Sequence, residues 1–209
     1  MELRNLRYAV VDTETTGGGV HRGDRVMEVA IVHVDGGAIT TAVDQLIDPQ
    51  RPIGRYVSRL TGITWDMVCE APTFGDVAPM IQEALEDRIF VAQNVRFDWR
   101  FLSMELRQAT GRPLAGEQLC TVKLARKLLT HLPRRSLDAL AWHYDVPIVG
   151  RHRAGGDARA TAAVLLSMLA DARRRDIDTW DGLQALLRRP RVPAFRSALP
   201  QPVTVEAIA

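Results

Sequence analysis

The sequence has 209 residues, of which 46% are hydrophobic and 25% charged, a globular composition that excludes a disordered or fibrous protein. A net charge of +2 is too small for the electrostatic footprint of a protein that binds duplex DNA tightly. Two cysteines exclude a disulfide framework, and the sequence lacks both an apolar span of about 18 residues and a signal-peptide core, so we expect a cytosolic protein.

The first part of the chain predicts three strands. The apolar run at residues 8–11 stops at Asp12 and is typical of a buried central strand. A second apolar run covers 25–34, and a third strand follows the turn at 35–37 and continues to about Ile47. Together these segments predict an antiparallel meander.

The remainder of the chain predicts mainly helices, with two more short strands at 89–92 and 119–122. Helices are expected over 64–69, 74–86, 98–109, 123–129, 136–144 and 157–174.

A change in composition near residue 175 predicts a domain over 1–175, followed by a proline-rich tail or docking segment over 176–209. If residues 180–187 are helical, Trp180, Leu183, Leu186 and Leu187 share one apolar face, which we expect to fold back on the domain rather than bind a partner.

Acidic residues stand at the ends of predicted strands and the starts of predicted helices. Asp12 and Glu14 are two apart on a strand, so both side chains are expected on one face at the carboxyl edge of a central strand. Asp98 and Asp157 each stand near the start of a helix, and His152 precedes Asp157 in a loop. Each acid alone has an ordinary structural explanation, such as a solvated strand end or the helix dipole.

Taken together, four carboxylates without a cysteine or histidine cluster suit Mg²⁺ or Mn²⁺ rather than zinc. Such a site often holds two ions that flank a phosphodiester, and a neighbouring histidine can accept the proton of an attacking water.

Three motifs carry a family resemblance. Residues 12–17, 94–98 and 152–158 resemble, in order and spacing, the three exonuclease motifs of the DnaQ-like exonucleases with an Asp-Glu-Asp-Asp-His site, the family of the proofreading epsilon subunit of bacterial replicative polymerases. Residues 60–64 and 136–140 are also similar to that family. The resemblance implies an α/β, ribonuclease-H-like fold, in which a five-stranded mixed sheet is flanked by helices.

The resemblance also implies roles for particular residues. Asp12, Glu14, Asp98 and Asp157 would ligate two divalent cations, and His152 would be the general base. The terminal nucleotide would be seated by Thr13, Thr15, Thr16, Thr61, Asn94 and Phe97.

The implied activity is stepwise hydrolysis of DNA from a free 3′ end to nucleoside 5′-monophosphates, in proofreading or repair. The expected substrates are single strands or unpaired 3′ ends, and the tail is a candidate contact for a polymerase subunit.

Two positions depart from the family pattern, and two alternative functions stay open. Gly18 stands where many relatives have a bulky Leu or Met that wedges beneath the terminal bases, unless Val20 supplies the wedge, and Gln93 replaces a common His. The alternatives are an exonuclease for RNA or short oligonucleotides on the same scaffold, which the 2′-OH would decide, and a non-catalytic module that docks nucleic acid or a polymerase.

Overall fold

The computed structural model describes residues 1–189, and the last part of the predicted tail, 190–209, lies outside the described residues. Five strands form one mixed sheet in the order β3-β2-β1-β4-β5. The strands are β1 (Arg7–Thr15), β2 (Val26–Asp35), β3 (Ala38–Leu46), β4 (Ile89–Ala92) and β5 (Gln118–Cys120). The pairs β1–β2 and β2–β3 are antiparallel, and β1–β4 and β4–β5 are parallel, so the predicted meander is confirmed.

The described helices are α1 (Arg55–Thr61), α2 (Trp65–Val68), α3 (Phe74–Leu85), α4 (Val95–Thr110), α5 (Thr121–Leu128), α6 (Leu137–His143), α7 (Ala154–Arg173) and α8 (Trp180–Arg188). Helices α3 and α4 pack on one face of the sheet, and α5, α6, α7 and α8 pack on the other. None of the helices within residues 1–189 is long and apolar enough to cross a membrane.

Strand β1 is central and buried on both faces, as its apolar run predicts. Tyr8 and Val10 lie in the apolar cluster with α7, whereas Ala9 and Val11 lie in the cluster with α3 and α4. The strand is longer than the apolar run, because pairing with β2 continues to Thr15, with an irregularity in register after Glu14. The acidic residues therefore lie within the last part of the strand.

The N-terminus and helix α8 are joined to the domain. The Leu3 N–H donates to the carbonyl of Asp178 at 2.7 Å, and the Trp180 N–H donates to the carbonyl of Met1 at 2.9 Å. Trp180 and Leu183 are buried in the cluster of α5 and α7. The expectation that this apolar face folds back on the domain is thus confirmed.

Candidate active site

Strand β1 brings two carboxylates to the face of the sheet that α7 covers. Alternate side chains of a strand share a face, so Asp12 and Glu14 continue the side of Tyr8 and Val10. Both acids are part-buried, because they lie just beyond the apolar core. Thr13, between them, faces α4 on the opposite side of the sheet, where it bonds to Asp98.

Helix α4 supplies the third carboxylate through its first turn. Asp98 is buried, and its Oδ1 accepts hydrogen bonds from the Thr13 backbone N–H at 3.1 Å and from the Thr13 hydroxyl at 2.9 Å. These bonds attach the start of α4 to β1. They orient the carboxylate at the strand end while its second oxygen makes no bond to Thr13.

The start of α7 supplies the fourth carboxylate, Asp157, and places His152 beside it. Asp157 is buried, and its Oδ2 accepts from the guanidinium of Arg151 and from the His152 backbone N–H at 3.3 Å. Its Oδ1 is buried without a hydrogen-bond partner among the described residues. One potential ligand atom from each of Glu14, His152 and Asp157 lies within 4.8 Å of the others, so these three side chains converge on one point.

The clustered acids resist ionisation. Burial, and then the neighbouring charges of Asp98, Glu14 and Asp157, raise the pKa of Asp12 well above its usual range. Burial, followed by the charges of Asp157 and Glu28, raises the pKa of Glu14 to about 8. Burial also raises the pKa of Asp98 to about 7 and moves that of Asp157 upwards. Such a group of buried, mutually repelling carboxylates is stabilised by bound cations.

Arg151 supplies part of that positive charge from the protein itself. Its Nε donates to Asp138 Oδ1 at 2.8 Å, its Nη2 lies 3.3 Å from Asp138 Oδ2, and its Nη1 donates to Asp157. Asp138 is largely exposed on α6 and holds the guanidinium from the outside. The contacts of Arg151 were not predictable from the sequence, because no periodicity relates positions 138, 151 and 157.

The four carboxylates line one open cleft of about 490 Å³. Its opposite wall comes from the end of β4 and from α4, α5 and the loop before α6. That wall includes Asn94, Phe97, Val122, Arg126 and Arg135. A larger cavity of about 840 Å³ lies near Met1, Arg7 and Trp180, but none of the four acids lines it. The smaller cleft is therefore the candidate active site because of the residues that line it.

Three of the six residues expected to seat a nucleotide line this cleft, namely Thr13, Asn94 and Phe97. The other three are buried threonines whose hydroxyls bond to backbone groups of the protein. Thr15 donates to the Gly17 carbonyl at 2.6 Å, Thr16 accepts from the Arg25 N–H at 3.1 Å, and Thr61 donates to the Val57 carbonyl at 3.0 Å. Their contact with a nucleotide stays a prediction.

The two departures from the family pattern also have defined surroundings. Val20 packs against the apolar cluster of α3 and α4, and the carbonyl of Gly18 accepts from Arg100 at 3.0 Å. Gln93 lines the cleft, donates to the Arg135 carbonyl at 2.9 Å and accepts from the Thr121 hydroxyl. Gln93 therefore ties the end of β4 to the segments that form the opposite wall.

The donor set fits divalent cations that prefer oxygen ligands. Four carboxylates and one imidazole converge without a thiolate, which suits Mg²⁺ or Mn²⁺. A divalent cation would satisfy the Oδ1 of Asp157, which has no hydrogen-bond partner among the described residues, and would favour the charged forms of the acids.

Comparison with known proteins gives consistent matches. Residues 9–165 match the RNase_T family model, whose description is exonuclease. The chain is 37% identical over 194 residues to a Mycobacterium tuberculosis (strain CDC 1551 / Oshkosh) protein named as a bifunctional exonuclease/endonuclease, covering 90% of the chain and 30% of that protein. It is 34% identical to a DNA polymerase III PolC-type of Bacillus subtilis (strain 168), covering 99% of the chain but 14% of that protein.

One relative of similar length is the DNA polymerase III subunit epsilon of Aquifex aeolicus (strain VF5), 35% identical over 78% of this chain and 81% of that one. Among solved structures, Exonuclease X in complex with 5′ overhanging duplex DNA matches with a TM-score of 0.69 and 29% identity, covering 87% of this chain and 99% of that chain. The nuclease domain of 3′hExo, a DEDDh family member bound to rAMP, matches at 0.66 with 18% identity over 82% and 95% of the two chains, a likeness of fold alone. The expected ribonuclease-H-like fold is confirmed.

Proposed function

This chain belongs to the exonuclease family of the RNase_T model, and we propose that it is a metal-dependent 3′→5′ exonuclease that hydrolyses DNA to nucleoside 5′-monophosphates. Members of this family generally use divalent metal ions. The observation that carries the proposal is the convergence of Asp12, Glu14, Asp98 and Asp157 in one cleft, with His152 beside Glu14 and Asp157. We assign the four acids as ligands of two divalent cations and His152 as the general base.

The proposed mechanism divides the work among the residues of the cleft. Two bound cations would stabilise charge on the attacking and the leaving oxygen of the phosphodiester. His152 accepts a proton from the attacking water, whose oxygen bonds to phosphorus while the bond to the 3′ oxygen of the chain breaks. Thr13 holds Asp98, and Asn94 and Phe97 offer polar and stacking contacts to the terminal nucleotide.

The choice of DNA rests on two relatives. One is named as a DNA polymerase III epsilon subunit, and the structure that matches with 29% identity holds duplex DNA with a 5′ overhang. A molecule with a 5′ overhang has a recessed, paired 3′ end, so this neighbour supports DNA as the substrate but not the preference for unpaired ends. Single-stranded or frayed 3′ ends are the favoured substrates, because an open cleft of about 490 Å³ suits the last one or two unpaired nucleotides. A role in proofreading or repair is proposed because one relative is named as a DNA polymerase III subunit epsilon.

The test compares oligonucleotides that share one sequence and carry a 5′ label: single-stranded DNA, paired DNA, DNA with a mismatched 3′ end, and RNA. Each is incubated with Mg²⁺, Mn²⁺ or chelator, and the products are resolved by length. The proposal expects a ladder shortened from the 3′ end, faster on unpaired than on paired DNA, and no products with chelator. A parallel reaction labelled at the 3′ end should release mononucleotides.

The same assay separates the alternatives. Faster degradation of RNA than of DNA would favour the alternative of an RNA exonuclease. Binding of oligonucleotides without hydrolysis in either metal would favour a non-catalytic docking module. The His152→Ala variant is expected to lose about 100-fold or more in rate while keeping Mn²⁺ binding, since general bases contribute roughly 10²–10⁴-fold. Parental rates in this variant would remove His152 as the base.

A further inference from the structure

Two buried glutamates outside the cleft are used in the same way. Glu105 accepts from Arg25 Nε and Nη2, each at 2.8 Å, and from the backbone N–H of the next residue, Val26, at 3.1 Å. Glu28 accepts from Arg153 Nε at 2.9 Å and Nη2 at 2.5 Å, and from the backbone N–H of Ala154 at 2.8 Å. Both carboxylates are almost fully buried, and neither lines the catalytic cleft. Each is therefore a clamp on an arginine and the residue that follows it.

The Glu28 clamp acts where α7 begins. Arg153 is the N-cap of α7 and Ala154 its first residue, so Glu28 joins the start of this helix to β2, 125 positions earlier in the sequence. Charge-assisted bonds from a guanidinium fork fix direction as well as distance. The clamp therefore sets both the position and the orientation of the segment that enters α7.

His152 directly precedes this clamp and has an unusual backbone. Its φ is +62°, in the left-handed region that side chains other than glycine seldom adopt. Such a conformation persists only where the surroundings hold it. The His152 N–H bonds to Asp157, and its Nδ1 lies 3.4 Å from Arg151, while the next residue in the chain is fixed by Glu28.

Asp157 has a second support that His152 lacks. It belongs to α7, whose buried residues Ala158, Val164 and Leu165 pack in the core with β1 and β2. His152 lies outside the helix, so its position depends on the chain on either side of it. Loss of the clamp should therefore displace His152 further than Asp157.

We propose that Glu28 is a positioning residue that acts through Arg153 to hold His152 beside Glu14 and Asp157. This inference rests on the proposed function, because it assumes that His152 is the general base. Glu28 itself does not touch the substrate. Its charge also raises the pKa of Glu14, so rates are compared at saturating Mn²⁺, where its remaining effect on kcat should pass through the imidazole.

A double-mutant cycle tests that dependence. The kcat and KM of the parent, Glu28→Gln, His152→Ala and the double variant are measured on single-stranded DNA with Mn²⁺. Glu28→Gln is expected to lower kcat on the order of tenfold to 100-fold, since a misplacement of about 1 Å costs about that much, with little change in KM. In the His152→Ala background the same change should alter kcat less than about twofold, because residues that act as a unit are not additive.

Glu105→Gln is the matched control. It removes a carboxylate of similar burial that also accepts from an arginine and from the next backbone N–H, so it disturbs folding in a comparable way. It should change kcat by the same factor in both backgrounds. Mn²⁺ binding, measured by calorimetry, should not weaken in Glu28→Gln, because Asp157 keeps its support in α7 and the lost charge had raised the pKa of Glu14.

The outcomes separate failure of the inference from failure of the proposed function. An equal loss from Glu28→Gln in both backgrounds, or weaker Mn²⁺ binding in that variant, overturns the positioning of His152 while leaving the exonuclease proposal intact. Parental kcat in His152→Ala overturns the general base and the positioning role together. If Glu28→Gln does not fold, Arg153→Lys keeps the charge but loses the fork, and it should show the same dependence on His152.

Discussion

The raised pKa of Glu14 in the acidic site leads to a prediction about the stability of the protein as well as its activity. Glu14 is part-buried beside Asp157 and Asp98, and its pKa rises from 4.5 to about 8. A carboxyl group with a raised pKa binds more protons in the folded than in the unfolded protein between these values, so folding stability falls as pH rises through that window. At pH 7 the cost is ~3 kcal/mol, because each tenfold change in proton activity above the unfolded pKa corresponds to 1.36 kcal/mol.

The Glu14→Gln variant removes this cost without changing the shape of the side chain. In chelator at pH 7, we expect the free energy of unfolding to rise by up to ~3 kcal/mol, with a larger gain at pH 8 and almost none near pH 4.5. With saturating Mn²⁺ the order should reverse, because an ion that binds only the folded protein stabilises the parent by mass action. Urea unfolding at pH 4.5, 7 and 8, each with chelator or Mn²⁺, measures both effects.

Asp76 provides a control, because its pKa is shifted in the opposite direction to that of Glu14. Asp76 is exposed in the first turn of α3, and hydrogen bonds from the hydroxyl and N–H of Thr73 hold its pKa below the usual range. Asp76→Asn should therefore reduce stability at neutral pH and change little at low pH, whether or not Mn²⁺ is present. If Glu14→Gln destabilises the protein in chelator at every pH, the carboxylates do not repel one another as we infer.

Three further predictions concern metal binding. Asp157→Ala should lower kcat with Mn²⁺ by about 100-fold or more, because it removes a ligand, and single-turnover rates within tenfold of the parent would contradict that role. Arg151→Gln should tighten Mn²⁺ binding by about threefold to tenfold in calorimetric titration, because it removes the positive guanidinium that contacts Asp157. Weaker binding in this variant would show that Arg151 supports the ion instead. The parent's Mn²⁺ affinity should rise about tenfold or more from pH 6 to pH 8, because Glu14 and Asp98, with pKa values of about 8 and 7, must lose protons to ligate, and equal affinity at both pH values would argue against them as ligands.

The sequence predicted the central part of the fold because burial leaves a direct mark on composition. Strand β1 is covered on both faces, and its apolar run at 8–11 reflects that cover. The end of the strand was not predictable in the same way. Residues 12–15 are polar and belong to the strand only because β2 continues to pair with them.

Helix α1 left a weaker mark and was not predicted. Within Arg55–Thr61 only Thr61 is buried, so the segment has no apolar stripe, and it ends at Gly62 in the left-handed conformation. The start of α4 was placed at Asp98, whereas it lies at Val95. Boundaries of this kind depend on a few hydrogen bonds and not on periodicity.

The candidate site was also predictable only in part. The motifs identified its four acids and its histidine, because the order of these residues along the chain is visible in the sequence. The arginines and glutamate that hold these residues in place were not predictable. Arg151 reaches Asp138 and Asp157, and Arg153 reaches Glu28, through contacts that only the folded chain creates.

The location of the site follows from how the sheet is covered. Because α4 lies on one face and α7 on the other, acids from the two layers can meet only at the end of β1, where the sheet no longer separates them. Asp12 and Glu14 point towards α7, and Thr13 between them reaches through its bonds to Asp98 on α4. Because successive side chains of β1 point to opposite faces of the sheet, the end of this one strand connects the α4 layer with the α7 layer. That junction places four carboxylates in one cleft, and under the proposed function bound cations would offset their repulsion of an approaching phosphodiester.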